Sequence, residues 1–90
     1  MNVNKEILIN RMVESLPALR ACLGLTQAEL GAKIGVSRCS FAYYEKKKRK
    51  MPWPVFLSLL LVISQNETAN KCLPIFGLAG PEIDAFLCSD

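Results

Sequence analysis

Thr26-Gln27-Ala28-Glu29-Leu30-Gly31-Ala32-Lys33-Ile34-Gly35-Val36-Ser37 is the stretch on which the fold turns. Thr26 followed three residues later by Glu29 fits a capping box: the threonine hydroxyl accepts from the Glu29 amide, and the carboxylate reaches back to Thr26. The helix so opened runs to about Ile34 and directs Ala28, Leu30 and Ile34 toward a core. Gly35 breaks it, and two residues later Ser37 offers a new N-cap. A short helix through Tyr44 follows, with Phe41 and Tyr44 inward. Two short helices crossing steeply over a turn of three or four residues restrict certain positions. The inward ones fall on Leu30, Ile34, Val36, Phe41 and Tyr44, all apolar or aromatic. Gly31 stands where the helices come closest, and Gly35 provides a positive φ in the turn at low steric cost. An ordinary amphipathic hairpin rarely places both glycines so.

Working back toward the start, Asn4 caps a helix over about Lys5 to Ser15. Its apolar stripe is Ile7, Leu8, Met12 and Val13, with Lys5, Asn10, Arg11 and Glu14 outward. Pro17 sits near the first turn of a second piece, Leu16 to Leu23, where proline costs little. One kinked helix and two separate helices both fit these residues. Gly24 ends the piece as a left-handed cap. Working forward, Lys46 to Lys50 is a basic run, and Pro52 and Pro54 bracket Trp53. A helix from Pro54 to about Ser64 is apolar around nearly its full circumference, which predicts burial on more than one side. Asn66 or Thr68 opens a further short helix through Leu73. A turn-rich segment from Pro74 leads to a last helical turn over Glu82 to Leu87. No stretch shows the period-2 alternation of a strand.

Ninety residues suit one domain, and 51% hydrophobic with 21% charged residues excludes a disordered chain. The net charge of +3 is unevenly spread. Residues 1–50 carry ten Lys/Arg against four Asp/Glu, and residues 51–90 carry one against four. A basic front half and an acidic back half suit one face on a polyanion and another on protein.

Four cysteines, Cys22, Cys39, Cys72 and Cys88, lie too far apart in sequence for a zinc knuckle, and no histidine completes a metal site. Neither a signal peptide nor a membrane span is read: the longest apolar stretch, Val55 to Ile63, is too short to cross a bilayer and is interrupted by Ser58. A cytoplasmic protein with reduced thiols is expected, Cys22 and Cys72 serving as small core residues. Without histidine, and with no base partner for Cys22 or Cys39, no catalytic constellation assembles, so an enzyme is not expected. No cofactor or metal is expected. Gly31 and Gly35 have the spacing of a membrane-dimer motif, but their segment is polar and short.

The residues Leu19-Arg20-Ala21-Cys22-Leu23-Gly24-Leu25-Thr26-Gln27-Ala28-Glu29-Leu30, then Ile34-Gly35-Val36-Ser37, then Tyr44-Glu45-Lys46, resemble the lambda-repressor-like (Cro/Xre) helix-turn-helix family. The likeness runs from about Leu16 to Ile63. It implies a bundle of four or five helices that docks its third conserved helix in the DNA major groove, usually as a dimer. It further implies that Gln27 braces the recognition helix and touches phosphate, and that Arg38, Cys39 and Tyr43 reach base edges. Arg20 and Glu45 match a structural ion pair of many relatives. Lys46, Lys47, Lys48, Arg49 and Lys50 fall where the family's loop skirts the phosphate backbone. A glycine frequent near Lys47 in that loop is missing here, and Cys39 is less polar than the family's usual choice.

By residue chemistry, Arg38 can donate two parallel hydrogen bonds to guanine, and Tyr43 can meet a thymine methyl or a phosphate. Ser37 and Ser40 can bind phosphate or a base edge, capping being the plainer role for Ser37. The basic run would supply salt-sensitive affinity without sequence preference.

The expectation is therefore an all-α, compact bundle of five or so helices containing a helix-turn-helix. It forms a single domain over 1–90, with the helix-turn-helix core at 16–64 and a C-terminal extension at 65–90 serving dimerisation. The expected function is sequence-specific binding of double-stranded DNA as a transcriptional regulator, a repressor on a near-palindromic operator. The alternative is an antitoxin or anti-regulator that neutralises a partner protein. Phe56, Leu60, Leu73, Ile75, Phe76, Leu78, Phe86 and Leu87 exceed what a 60-residue bundle needs and suit a homodimer interface or such a partner.

Overall fold

Four of the helix starts are set by a side chain that satisfies an amide left unpaired by the helix ladder. In a computed structural model, which describes residues 3–88, Asn4 accepts from the Ile7 amide and opens α1 (Lys5–Leu23). Thr26 and Glu29 form both halves of the capping box at α2 (Gln27–Ile34). The Thr26 amide, and after it the Thr26 hydroxyl, hold the Glu29 carboxyl below its ordinary value, against a smaller opposing effect of desolvation. Ser37 accepts from Ser40 at the start of α3 (Arg38–Glu45). Asn66 caps α5 (Glu67–Cys72) by accepting from Ala69. Pro52 precedes α4 (Trp53–Ser64) without a side-chain cap, and α6 (Pro81–Cys88) closes the described chain. The described residues are thus all-helical, with six helices and no strand.

Pro17 does not divide α1. The helix continues through it to Gly24, whose φ of 70° makes the left-handed cap. Proline removes one ladder bond and crowds the carbonyl four residues back. The buried row Leu8, Met12, Leu16 and Leu19 spans the proline on the inner side, while Pro17 itself faces solvent. Packing along that row outweighs the lost bond. Ser15, the one buried polar residue among those described, donates its hydroxyl to the Arg11 carbonyl at 2.7 Å.

A single core joins the ends of the chain. α1 packs against α3, α4 and α5, and α2 against α3 and α4. Leu30, Phe41 and Tyr44 meet Leu8 to Leu19 of α1 and Phe56, Leu59 and Ile63 of α4 in one cluster, which also takes in Ala69, Leu73, Leu78 and Ile83. Residues beyond 65 therefore contribute to the same core as residues before it. Trp53 stacks on Phe56 with centroids 4.7 Å apart, meets Phe86 edge-on, and lies under the Lys5 ammonium. One indole thereby links the starts of α1 and α4 to α6.

Several sequence expectations are corrected here. Ala28, expected inward, is exposed in the first turn of α2. Arg11, expected outward, is half-buried and donates to the Gly77 carbonyl at 3.0 Å, holding the 74–80 segment on α1. α4 is fully buried along Phe56, Leu59 and Ile63 and half-buried at Val55, Leu60 and Val62, while Leu57 and Leu61 are exposed, Leu61 by 63%. Phe56, Leu73 and Leu78, expected at an interface, are internal. Cys22 and Cys72 are half-buried at the edge of the core rather than inside it. Met51 is 2% exposed although it adjoins the basic run.

Candidate nucleic-acid interface

The placement of α3 follows from the turn before it. Gly35 has φ of 76° and directs the chain out of α2, and the Val36 amide donates to the Gly31 carbonyl at 2.8 Å. Gly31 is buried, and a Cβ there would lie 2.6 Å from the Val36 carbonyl oxygen. Glycine at 31 is what lets the turn close against α2. With Phe41 and Tyr44 fixed in the core, the opposite side of α3 leaves Arg38, Cys39 and Tyr43 exposed and Ser40 half-exposed.

Three side chains lock the end of α3 to the helices behind it. Arg20 donates from Nε to Glu45 Oε2 at 2.6 Å and from Nη2 to Oε1 at 3.2 Å, a bidentate pair. Gln27 Nε2 donates to the same Oε1 at 3.2 Å. Glu45 is 8% exposed and Arg20 21%. One carboxylate thus receives α1, through Arg20, and α2, through Gln27. A primary amide has two N–H donors, so Gln27 keeps one for another acceptor. Arg20, Thr26, Gln27 and Arg38 line one open groove between the end of α1 and the starts of α2 and α3.

The basic run is exposed throughout, but its members are not equivalent. Lys46 caps α3. Lys47 has φ of 60°, the one non-glycine positive φ among the described residues, and donates to Glu14 at 3.0 Å. Arg49 folds back over α3: its Nη1 donates to Ser40 Oγ at 2.9 Å and its guanidinium lies 5.2 Å from the centre of the Tyr43 ring. Lys48 and Lys50 complete the exposed run beside them. Sequence reasoning treated the run as five like charges and missed the Arg49 contacts. The available signal is that Arg49 is the run's one guanidinium, the cation that stacks on aromatic faces.

The conformation of Lys47 accounts for the missing loop glycine: the backbone is left-handed there and a lysine occupies it. Left-handed geometry costs an L-residue with a Cβ roughly 1–2 kcal/mol, of which the greater backbone entropy that glycine loses on folding offsets about 0.5–1 kcal/mol. The Lys47–Glu14 pair is more than half exposed at both ends and offsets little of this. Lys47→Gly is therefore expected to raise the thermal unfolding midpoint by a few degrees. Calorimetry on the two proteins checks this, and an unchanged or lower midpoint contradicts it.

Among the described residues no three His, Cys, Asp or Glu side chains come together as a metal site, and no helix is long and apolar enough to cross a membrane. No family model, curated protein or solved structure matches the chain.

Proposed function

We propose that this chain is a sequence-specific double-stranded DNA-binding regulator of transcription, a Cro/Xre-like repressor that acts in the cytoplasm on a near-palindromic operator. The observation that carries this reading is the outer side of α3. Arg38, Cys39 and Tyr43 stand exposed on a helix held from behind by Glu45, with Lys46 to Lys50 exposed directly beside it. Arg38, at the first position of α3, reads guanine through two hydrogen bonds, and Tyr43 reaches a thymine methyl or a phosphate. The free N–H of Gln27 and the hydroxyl of Ser37 take phosphate. Lys46, Lys48 and Lys50 neutralise the backbone and make affinity fall steeply with salt.

A homodimer belongs to the same reading. Leu57, Leu61, Ile75 and Leu87 are exposed apolar side chains, Ile75 by 76%, and they suit a partner surface. Half-sites about one helical turn apart follow from a two-fold pair of α3 helices.

Selection from a randomised duplex pool at near-physiological salt tests the proposal. Enrichment of a near-palindrome supports it. Retention without enrichment leaves only a basic surface, and no retention puts the neutralised protein partner in first place. On the enriched site, Arg38→Ala is expected to flatten base preference at one or two positions, by about 1–3 kcal/mol of discrimination. The unfolding midpoint of that variant stays unchanged, since Arg38 has no partner to lose in the core. Unfolding of Arg38→Ala at lower temperature would contradict a purely surface role.

A further inference from the structure

We propose that Cys22 and Cys72 are a site of covalent modification: a dithiol that a small-molecule disulfide of the oxidised-glutathione class converts into an intramolecular disulfide. The two Sγ atoms lie 3.7 Å apart although the residues are 50 positions apart in sequence. Cys22 is in the last turn of α1 and Cys72 is the last residue of α5, two helices packed on one another. A disulfide needs about 2.0 Å between the sulfurs, so the gap to close is under about 2 Å, within reach of side-chain rotation at helix ends. Both residues are half-buried, open to a small oxidant yet held by the core edge. Two sulfurs cannot satisfy zinc, which takes four ligands, and no third His, Cys, Asp or Glu joins them among the described residues. The remaining exposed cysteines, Cys39 and Cys88, belong to α3 and α6.

The exchange balances without any further oxidant. The Cys22 thiolate attacks one sulfur of glutathione disulfide, the S–S bond of that molecule breaks, and one glutathione leaves as thiolate and takes up a proton. Cys72 then gives its proton to solvent, attacks the Cys22 sulfur, and expels the second glutathione. Two electrons pass from the protein to glutathione disulfide. Cys72 suits the second step: its hydrogen bond with Cys22, then partial desolvation and the neighbouring Cys22 charge, push its thiol up, so it holds its proton until the mixed disulfide has formed. The Thr68 carbonyl accepts a hydrogen bond from the Cys72 thiol at 3.6 Å, which likewise favours its protonated form.

The bridge closes a ring that contains α2, α3 and α4 and ties α1 to α5. Cross-linking residues so far apart removes much of the freedom of the unfolded chain. The expected fall in the unfolding equilibrium constant is about 100- to 1000-fold. The exposed side of α3 is not part of the bridge, and the inference does not rest on the DNA-binding reading.

The test uses the full chain carrying Cys39→Ser and Cys88→Ser, incubated with excess oxidised glutathione at neutral pH, acid-quenched and weighed intact. The expected product lacks two hydrogens and retains no glutathione. It should form at least about 10-fold faster in the folded chain than in urea, because folding holds the thiols together. Its thermal midpoint should rise and return to the starting value after dithiothreitol. In the same background Cys72→Ala should stop at a single glutathione adduct on Cys22. Persistent adducts on both thiols, a bridge that forms no faster in the folded chain, or no reaction would each overturn the proposal.

Discussion

Gly31→Ala is expected to lower stability by about 1–3 kcal/mol, although alanine is by itself the better helix former by about 1 kcal/mol. The new Cβ would sit 2.6 Å from the Val36 carbonyl oxygen, a backbone atom that no side-chain rotation can move aside. That backbone is also tied to residue 31 by the Val36 amide, which donates to the Gly31 carbonyl, so relief of the clash must stretch the same turn. Overpacking against a fixed wall typically costs 1–3 kcal/mol, and forfeiting part of that hydrogen bond adds roughly 1 kcal/mol. In a domain of this size such a loss lowers the unfolding midpoint by about 5–20 °C. Ala32→Gly is the matched control: Ala32 is exposed on the same helix and should lose only the propensity difference of about 1 kcal/mol. Denaturant titration of the two variants compares them. A Gly31→Ala protein as stable as the parent would mean that α2 and the turn do not approach as described. Since the turn sets where α3 lies, the variant should also bind the selected duplex more weakly at temperatures where it remains folded.

The second large effect is expected at Glu45. Glu45→Ala removes the shared acceptor of Arg20 and Gln27 and leaves a guanidinium, four-fifths buried, without its carboxylate. Breaking a fully buried pair costs 3–5 kcal/mol, and partial access of water to Arg20 brings the expectation here to about 2–3 kcal/mol. The double variant Arg20→Ala/Glu45→Ala should be destabilised by less than the sum of the two single variants, since the second substitution has no charge left to strand. Additive losses in that cycle would show that the two side chains are not coupled. Arg20→Lys should recover only part of the stability, because an ammonium cannot make the two parallel hydrogen bonds of the fork. A pair that carries little net stability still fixes geometry. It joins α1 and α2 to the end of α3, so the duplex-binding loss in Glu45→Ala should exceed what its fraction unfolded explains.

Features governed by neighbours in sequence could be read from the residues. Asn4, Thr26 and Ser37 cap the helices that follow them, and Gly24 and Gly35 end the helices before them, because a cap is made within three or four residues. The inward placement of Leu30, Phe41 and Tyr44, and the requirement for a small residue at 31, were legible for the same reason: helical period and turn length are local quantities. The all-helical class and the grouping of Arg38, Cys39 and Tyr43 on one side of α3 follow from them.

Whatever depends on the element lying opposite was decided by tertiary packing. Pro17 fits one helix or two until the buried row Leu8 to Leu19 is seen to run through it, with α3, α4 and α5 packed on α1. α4 reads as buried on more than one side, and its neighbours bury Phe56, Leu59 and Ile63 and half-bury Val55, Leu60 and Val62, while Leu57 and Leu61 stay exposed. Arg11 looks like surface until the Gly77 carbonyl comes within reach, and Arg49 like one of five equivalent charges until Tyr43 and Ser40 lie beside it. Cys22 and Cys72, separated by three helices of chain, become neighbours only when α5 packs on α1. Hydrophobic pattern and capping report what each residue can do locally; which surface it meets is a property of the assembled bundle.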